Sequence, residues 1–283
     1  MKERKGKDTM ECVVKGLAVH YETYGQGTPV LLLHGYHVDF RLMSGCFEPV
    51  FEELEGYRRI YIDLPGMGQT QSADWIKSAD DMLALLLEFI DRVMPGERFL
   101  LAGESYGGYL ARGVVRRLGG RVAGLLLLCP AVLPDYEKRT LPPHTVLKKD
   151  DALLASLSPE DAESFTEVNV VQTEEVWRRF RDEILCGIKM ADMPFLEWYR
   201  KNGYAFSFDV DAMGEPCLCP TLFLLGRQDD SVGYRDAWAI LENYPRATFA
   251  VLDRSGHNLQ IEQPALFRAL TLEWLERVKE AAQ

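Results

Sequence analysis

Along the first half of the chain, short runs of Leu and β-branched residues alternate with longer segments whose apolar positions recur every three or four residues. Val19–Tyr24, Pro29–Leu33, Arg59–Ile62, Phe99–Ala102 and Val122–Cys129 read as strands. Between them, Leu42–Leu54, Ala79–Val93 and Tyr106–Leu118 carry helical spacing, the second stopped by Pro95-Gly96 and the third by Gly119-Gly120. Strands that are apolar throughout and separated by helices belong to a parallel sheet covered on both faces. The stretch Cys12–Tyr24 reads as a hairpin adding antiparallel strands at one edge.

From Ala131 to Cys217 the pattern changes. No buried-strand signal appears, and helical pieces at Ala152–Leu157, Pro159–Val168, Glu174–Cys186 and Phe195–Lys201 are punctuated by prolines. The alternation resumes with a strand at Thr221–Leu225, a helix at Tyr234–Asn243, a strand at Ala247–Leu252 and a closing helix at Pro264–Val278. The expected fold class is therefore α/β: a mostly parallel central sheet flanked by helices, built from residues 1–130 and 218–283, with a helical insertion over 131–217. No internal repeat or low-complexity segment interrupts this reading.

Composition narrows the function classes. The net charge is −11, which argues against nucleic acid as a partner, because phosphate binding needs clustered Lys and Arg. The charged start, Met1–Asp8, lacks the apolar core of a signal peptide, and runs such as Leu125–Cys129 are far too short to span a bilayer. The six cysteines are scattered, and Cys217 and Cys219 are too close for a redox or zinc motif, so free thiols in a reducing cytoplasm are expected. No metal or cofactor signature is present. Asp63-Leu-Pro-Gly66-Met-Gly68 lacks the third glycine of a dinucleotide fingerprint and reads as a structural turn.

The most informative stretch is Phe99-Leu-Leu-Ala-Gly103-Glu104-Ser105-Tyr106-Gly107. A buried strand runs into Gly-x-Ser-x-Gly and straight on into a helix. Such a turn is sharp and strained, and it brings strand and helix so close that only glycine fits two residues before and two after the serine. The hydroxyl is left at the carboxyl edge of the sheet, beside a helix N-terminus that favours developing negative charge. In this context the chain resembles the α/β-hydrolase family, over essentially its whole length.

The resemblance implies a serine nucleophile, an acid and a histidine in that chain order. Leu222-Phe-Leu-Leu-Leu-Gly226-Arg-Gln-Asp229 is similar to the family's acid loop and favours Asp229 over Asp230. Val251-Leu-Asp-Arg-Ser-Gly256-His257, followed by Glu262 and Pro264, is similar to its histidine loop. Ser105, His257 and Asp229 are thus the expected nucleophile, base and orienting acid. The turn His34-Gly35-Tyr36 is similar to the family's oxyanion turn, which implies the main-chain N–H groups of Tyr36 and Tyr106 as donors. His34 is expected to support the loop. His20 and His144 are expected to be structural or surface residues, and His37 either lines the pocket or is exposed. A histidine base implies activity falling on the acid side with an apparent pKa of about 6 to 7.

The insertion sits where the family carries a cap. Its aromatics Phe165, Trp177, Phe180, Phe195, Trp198 and Tyr199 either line a pocket or, at helical spacing, pack the insertion onto the body; a mainly apolar pocket is expected. Three readings remain open at this level. The first is a hydrolase of small organic esters or related acyl bonds. The second is a proline-iminopeptidase-like aminopeptidase, which would need insertion carboxylates such as Glu163, Glu167, Glu174 or Glu175 for a substrate ammonium. The third is a non-catalytic binding member of the fold. A small-molecule partner fits all three, and the oligomeric state is not legible.

Overall fold

A computed structural model describes residues 7–282; the charged residues 1–6 lie outside the described part. The chain opens with a hairpin, β1 (Lys7–Val14) and β2 (Leu17–Tyr24), turned by Lys15 and Gly16. Both turn residues have positive φ, 47° and 83°, which matches the twist of the flanking strands in a two-residue loop. There follow β3 (Thr28–Leu33), α1 (Phe40–Phe51), β4 (Tyr57–Ile62), α2 (Ala79–Val93), β5 (Phe99–Glu104), α3 (Ser105–Leu118) and β6 (Val122–Leu128).

After β6 the chain leaves the sheet through a 3₁₀ turn at Tyr136–Lys138, then forms a two-residue strand, β7 (Lys148–Lys149), α4 (Asp151–Ser156) and α5 (Pro159–Val168). It continues with β8 (Val171–Gln172), paired in parallel with β7, then α6 (Glu174–Phe180), α7 (Cys186–Ile188) and α8 (Met193–Asn202). The body resumes with β9 (Thr221–Gly226), α9 (Arg235–Ala239), β10 (Ala247–Leu252), α10 (Leu259–Glu262) and α11 (Pro264–Ala281).

Eight strands form one sheet in the order β1-β2-β4-β3-β5-β6-β9-β10. From β4 to β10 every neighbouring pair is parallel, and β2 joins β4 antiparallel. The central strands are buried along nearly their whole length, as their unbroken apolar sequences require. Each fully buried Leu or Val there contributes about 1.5–3 kcal/mol. The winding direction reverses between β3 and β5. In an open α/β sheet the crevice at such a reversal, beyond the carboxyl ends of the strands, is where ligands bind.

Several element ends differ from the sequence reading for local reasons. Helix α1 starts at Phe40 because the Asp39 carboxylate accepts the Arg41 N–H at 2.9 Å and caps it. Helix α8 starts early in the same way, with Asp192 capping Phe195 N–H. The run Glu174–Cys186 is not one uniform helix: α6 passes through a π turn at Arg181–Leu185 into α7. Tyr234–Asn243 breaks at Ile240 into α9 and a 3₁₀ turn.

The ends of the insertion are tied to α3. Arg112, fully buried, donates to the carbonyls of Ala131 and Val132 at 3.0 and 2.9 Å and pairs with Asp211 at 2.6 Å. Among the described residues no helix is long and apolar enough to cross a membrane.

Candidate active site

Ser105 is the first residue of α3 and follows β5 without a connecting loop. Its φ of +50° lies in the left-handed region, which costs a non-glycine residue about 1–3 kcal/mol and is held by the surrounding packing. A Cβ on Gly103 would meet the main chain of Gly107, and one on Gly107 would meet the carbonyls of Leu33 and His34. The glycines are therefore demanded by the crossing of strand, helix and the turn after β3.

The acid loop after β9 and the histidine loop after β10 cross equally tightly. A Cβ on Gly226 would meet the Gly256 carbonyl, and Gln228 N–H donates to Ser255 O at 3.0 Å. Asp229 is fully buried. Its Oδ1 accepts the N–H groups of Ser231 and Val232 at 2.9 and 3.0 Å, which leaves Oδ2 to His257 Nδ1 at 2.9 Å. His257 Nε2 lies 2.9 Å from Ser105 Oγ. Asp230 points elsewhere and pairs with His144 at 2.7 Å. Glu262 holds the histidine loop from behind: its carboxylate accepts Gly256 N–H at 2.6 Å and the N–H groups of Val170 and Val171 at 2.6 and 3.0 Å. One buried side chain thus fixes the histidine loop to the insertion.

The turn after β3 completes the surroundings. A Cβ on Gly35 would sit 3.1 Å from Ser105 Cβ, so this backbone passes directly against the serine. Tyr106 is the second residue of α3, and its N–H belongs to the first turn, where helix donors have no intrahelical acceptor. The rings of Tyr36 and Tyr106 meet edge to face at 5.7 Å. His34 lies beneath the turn, accepting Leu64 N–H at Nε2 (3.0 Å) with Nδ1 2.7 Å from Gly35 O. Burial lowers its pKa and keeps it neutral. His20 is buried against Asp63 at 2.7 Å, and Asp63 also accepts Phe40 and Gln69 N–H at 2.9 Å, fixing the Asp63–Gly68 turn.

Glu104 is the residue that sequence reading missed. It is buried, and its Oε1 lies 3.3 Å from His257 Nε2, on the side facing Ser105. Burial raises its pKa to about 7, opposed by the charge of His257. On its own, burial would lower the His257 pKa. The contact with Asp229 and the charge of Glu104 outweigh it and raise the value to about 9. This departs from the unperturbed range expected for an isolated base. The signal in the sequence was a carboxylate at the end of an otherwise apolar strand.

Ser105 and His257 open into a cavity of about 500 Å³ between body and insertion. Of the six insertion aromatics singled out in the sequence, Phe180 lines it, together with Tyr136 and Tyr204. Phe165 and Trp177 pack with Phe180 inside the insertion, Tyr199 is buried with its hydroxyl 2.6 Å from that of Tyr106, and Trp198 is exposed. The lining is not mainly apolar. Arg139, Arg200, Glu104, Glu167, Asp230 and the half-buried His37 contribute polar groups. Burial and the nearby Arg200 lower the His37 pKa to about 4.

Cys129, Asp229 and His257 present donor atoms within 4.8 Å of one another, a set of the size a metal ion needs. The ring and carboxylate are already bonded to each other, and burial holds the Cys129 thiol well above its usual pKa. A metal there would have to displace the hydrogen bond that orients the histidine and also deprotonate that thiol.

Comparison with known proteins places this geometry. A pimeloyl-[acyl-carrier protein] methyl ester esterase of Legionella pneumophila (strain Corby) is 24% identical over 267 residues, covering 91% of this chain and 99% of its own. A 2-hydroxy-6-oxononadienedioate/2-hydroxy-6-oxononatrienedioate hydrolase of Paraburkholderia phymatum is 27% identical over 269 residues, covering 92% and 91%. The crystal structure of an alpha/beta superfamily hydrolase from Oenococcus oeni PSU-1 superposes with a TM-score of 0.86 at 29% identity, covering 95% of this chain and 99% of that one. The model of the Alpha/beta hydrolase family matches residues 30–270, a span that includes the strand-to-helix serine turn and the acid and histidine loops alike. The chain belongs to the alpha/beta hydrolase family and is a hydrolase.

Proposed function

We propose that this hydrolase cleaves esters of small organic acids through an acyl-enzyme formed on Ser105. The observation that carries the reading is the continuous chain Ser105 Oγ–His257 Nε2, His257 Nδ1–Asp229 Oδ2, with both links at 2.9 Å, at the wall of a cavity. Neutral His257 takes the hydroxyl proton as Ser105 attacks the ester carbonyl. Asp229 fixes the tautomer and offsets the imidazolium charge, and Glu104 adds a second negative group beside Nε2. The main-chain N–H groups of Tyr36 and Tyr106 receive the oxyanion. His257 then protonates the leaving alcohol, and water repeats the sequence on the acyl-enzyme. Residues 131–217 act as a cap over a core of residues 1–130 and 218–283, limiting substrate size and excluding water. The similarity to the Legionella methyl ester esterase supports the choice of ester.

The aminopeptidase alternative needs carboxylates facing the pocket. Of Glu163, Glu167, Glu174 and Glu175, Glu167 is the one that lines the cavity, and it shares that cavity with two arginines. This favours the ester reading. A panel of aryl esters of graded acyl length beside aminoacyl anilides, with Ser105→Ala as background, tests it. Short-to-medium acyl esters are expected to turn over. Faster cleavage of N-terminal proline anilides than of any ester would replace the ester reading with the aminopeptidase one.

A further inference from the structure

The cavity beside Ser105 contains two cations that no carboxylate among the described residues pairs with. Arg139 comes from the first stretch of the insertion and Arg200 from α8. Arg139 is half-buried and held by carbonyls and tyrosines: its Nε donates to Leu133 O at 2.8 Å, its terminal nitrogens donate to Ser231 O at 2.8 Å and Pro134 O at 3.3 Å, and it lies over the Tyr136 ring at 5.6 Å and against the Tyr204 hydroxyl. A guanidinium has five N–H groups, so these three bonds leave donors over. Arg200 stands over the Tyr36 ring, 6.0 Å from its centre. Neither arginine forms an ion pair among the described residues, whereas Arg59, Arg112 and Arg179 each have a carboxylate partner.

The acids in the cavity are differently placed. Asp230 is held by His144 and Glu104 by His257, and Glu167 is exposed. In a chain where 43 acids outnumber 32 basic residues, two carboxylate-free arginines in one cavity are a local reversal of charge. Tyr204 lines the same wall, and both guanidinium charges act on its hydroxyl.

We propose that the cavity selects esters that carry a free carboxylate at the end remote from the scissile carbonyl, with Arg139 and Arg200 as its ion-pair partners and the Tyr204 hydroxyl as a further donor. The inference rests on Ser105 being the nucleophile. A planar carboxylate matches the fork of a guanidinium, and its single charge suits a cavity that also contains Glu104 and Glu167 better than a doubly charged phosphate. The half-esters of short dicarboxylic acids are the simplest substrates of this kind.

The test compares monomethyl glutarate with dimethyl glutarate in the wild-type protein, in Arg200→Gln, and in Arg139→Gln. Wild type is expected to favour the half-ester in kcat/KM, and each variant to lower the half-ester to diester ratio by about tenfold or more, the value of a lost charge-assisted hydrogen bond. Arg200→Lys is expected to recover part of the ratio. Arg200 is exposed, so its variants remain informative if loss of the Arg139 anchors impairs folding. A second measurement does not depend on turnover: glutarate is expected to slow fluorophosphonate labelling of wild type and to lose that effect in Arg200→Gln. Equal ratios in wild type and both variants, or protection by inorganic phosphate but not by glutarate, would overturn the proposal. Absence of ester turnover with labelling of Ser105 still slowed by glutarate would sink the ester reading and leave the carboxylate subsite standing.

Discussion

At the scale of single residues, the centre of the site is a histidine between two carboxylates. Asp229 bonds Nδ1, and Glu104 lies beside Nε2, the nitrogen that accepts the serine proton in the proposed mechanism. With its pKa raised to about 9, His257 is expected to be an imidazolium at neutral pH, and in the proposed mechanism it acts as base only once that proton has left. Activity is therefore expected to climb through neutral pH with its midpoint near pH 9, later than the limb an ordinary histidine gives. Glu104→Gln removes a negative charge that favours the imidazolium, so the acid limb of kcat/KM is expected to move to lower pH; an unmoved limb would remove Glu104 from the site's electrostatics. Asp229→Asn is expected to cost kcat about 10⁴-fold, since an amide stabilises the wrong tautomer and offsets no charge, while Asp230→Asn stays within a few-fold of wild type. Equal losses would reverse that assignment. Ser105, Asp229 and His257 could be read from the sequence because each sits in a glycine-marked turn. Glu104, Arg139 and Arg200 carry no such mark, and their meeting depends on how the insertion lies on the body.

At the scale of elements, the strands and the helices of the body are legible because burial on both faces leaves unbroken apolar runs. The misread ends have local causes. Asp39 and Asp192 cap helices through single hydrogen bonds that periodicity does not register, and the π turn at Arg181–Leu185 shifts the face of a helix without changing its composition. The attachments of the insertion are also single side chains. Arg112 joins α3 to the carbonyls of Ala131 and Val132 and to Asp211, so Arg112→Ala strands a mostly buried carboxylate and two carbonyls. A loss of about 3–5 kcal/mol is expected, read as a lowered urea midpoint; a midpoint unchanged from wild type would mean that the insertion is held in another way. Glu262 does the corresponding work for the histidine loop. Its substitution by Gln keeps the shape but puts an NH2 donor where a carboxylate oxygen accepts main-chain N–H groups, and kcat is expected to fall with the fold retained. Full activity in that variant would show that the loop does not need the carboxylate.

At the scale of the whole molecule, the reversal of winding between β3 and β5 decides where everything else gathers. The turns that follow those two strands carry Tyr36 and Ser105, and the loops after β9 and β10 bring Asp229 and His257 to the same sheet edge. This convergence follows from strand order, which the alternation of strands and helices does not give; the alternation implied only a mostly parallel sheet. The character of the cavity did not follow from the sequence, because its polar lining comes from loops and helix faces of the insertion rather than from a repeating pattern. The account as a whole depends on Ser105 being the atom that attacks. Labelling the intact protein with a fluorophosphonate and mapping the modified peptide tests this most directly. One adduct is expected, on Ser105, absent in a folded Ser105→Ala variant that has lost ester turnover; an adduct on another serine, or full activity in Ser105→Ala, would contradict the account.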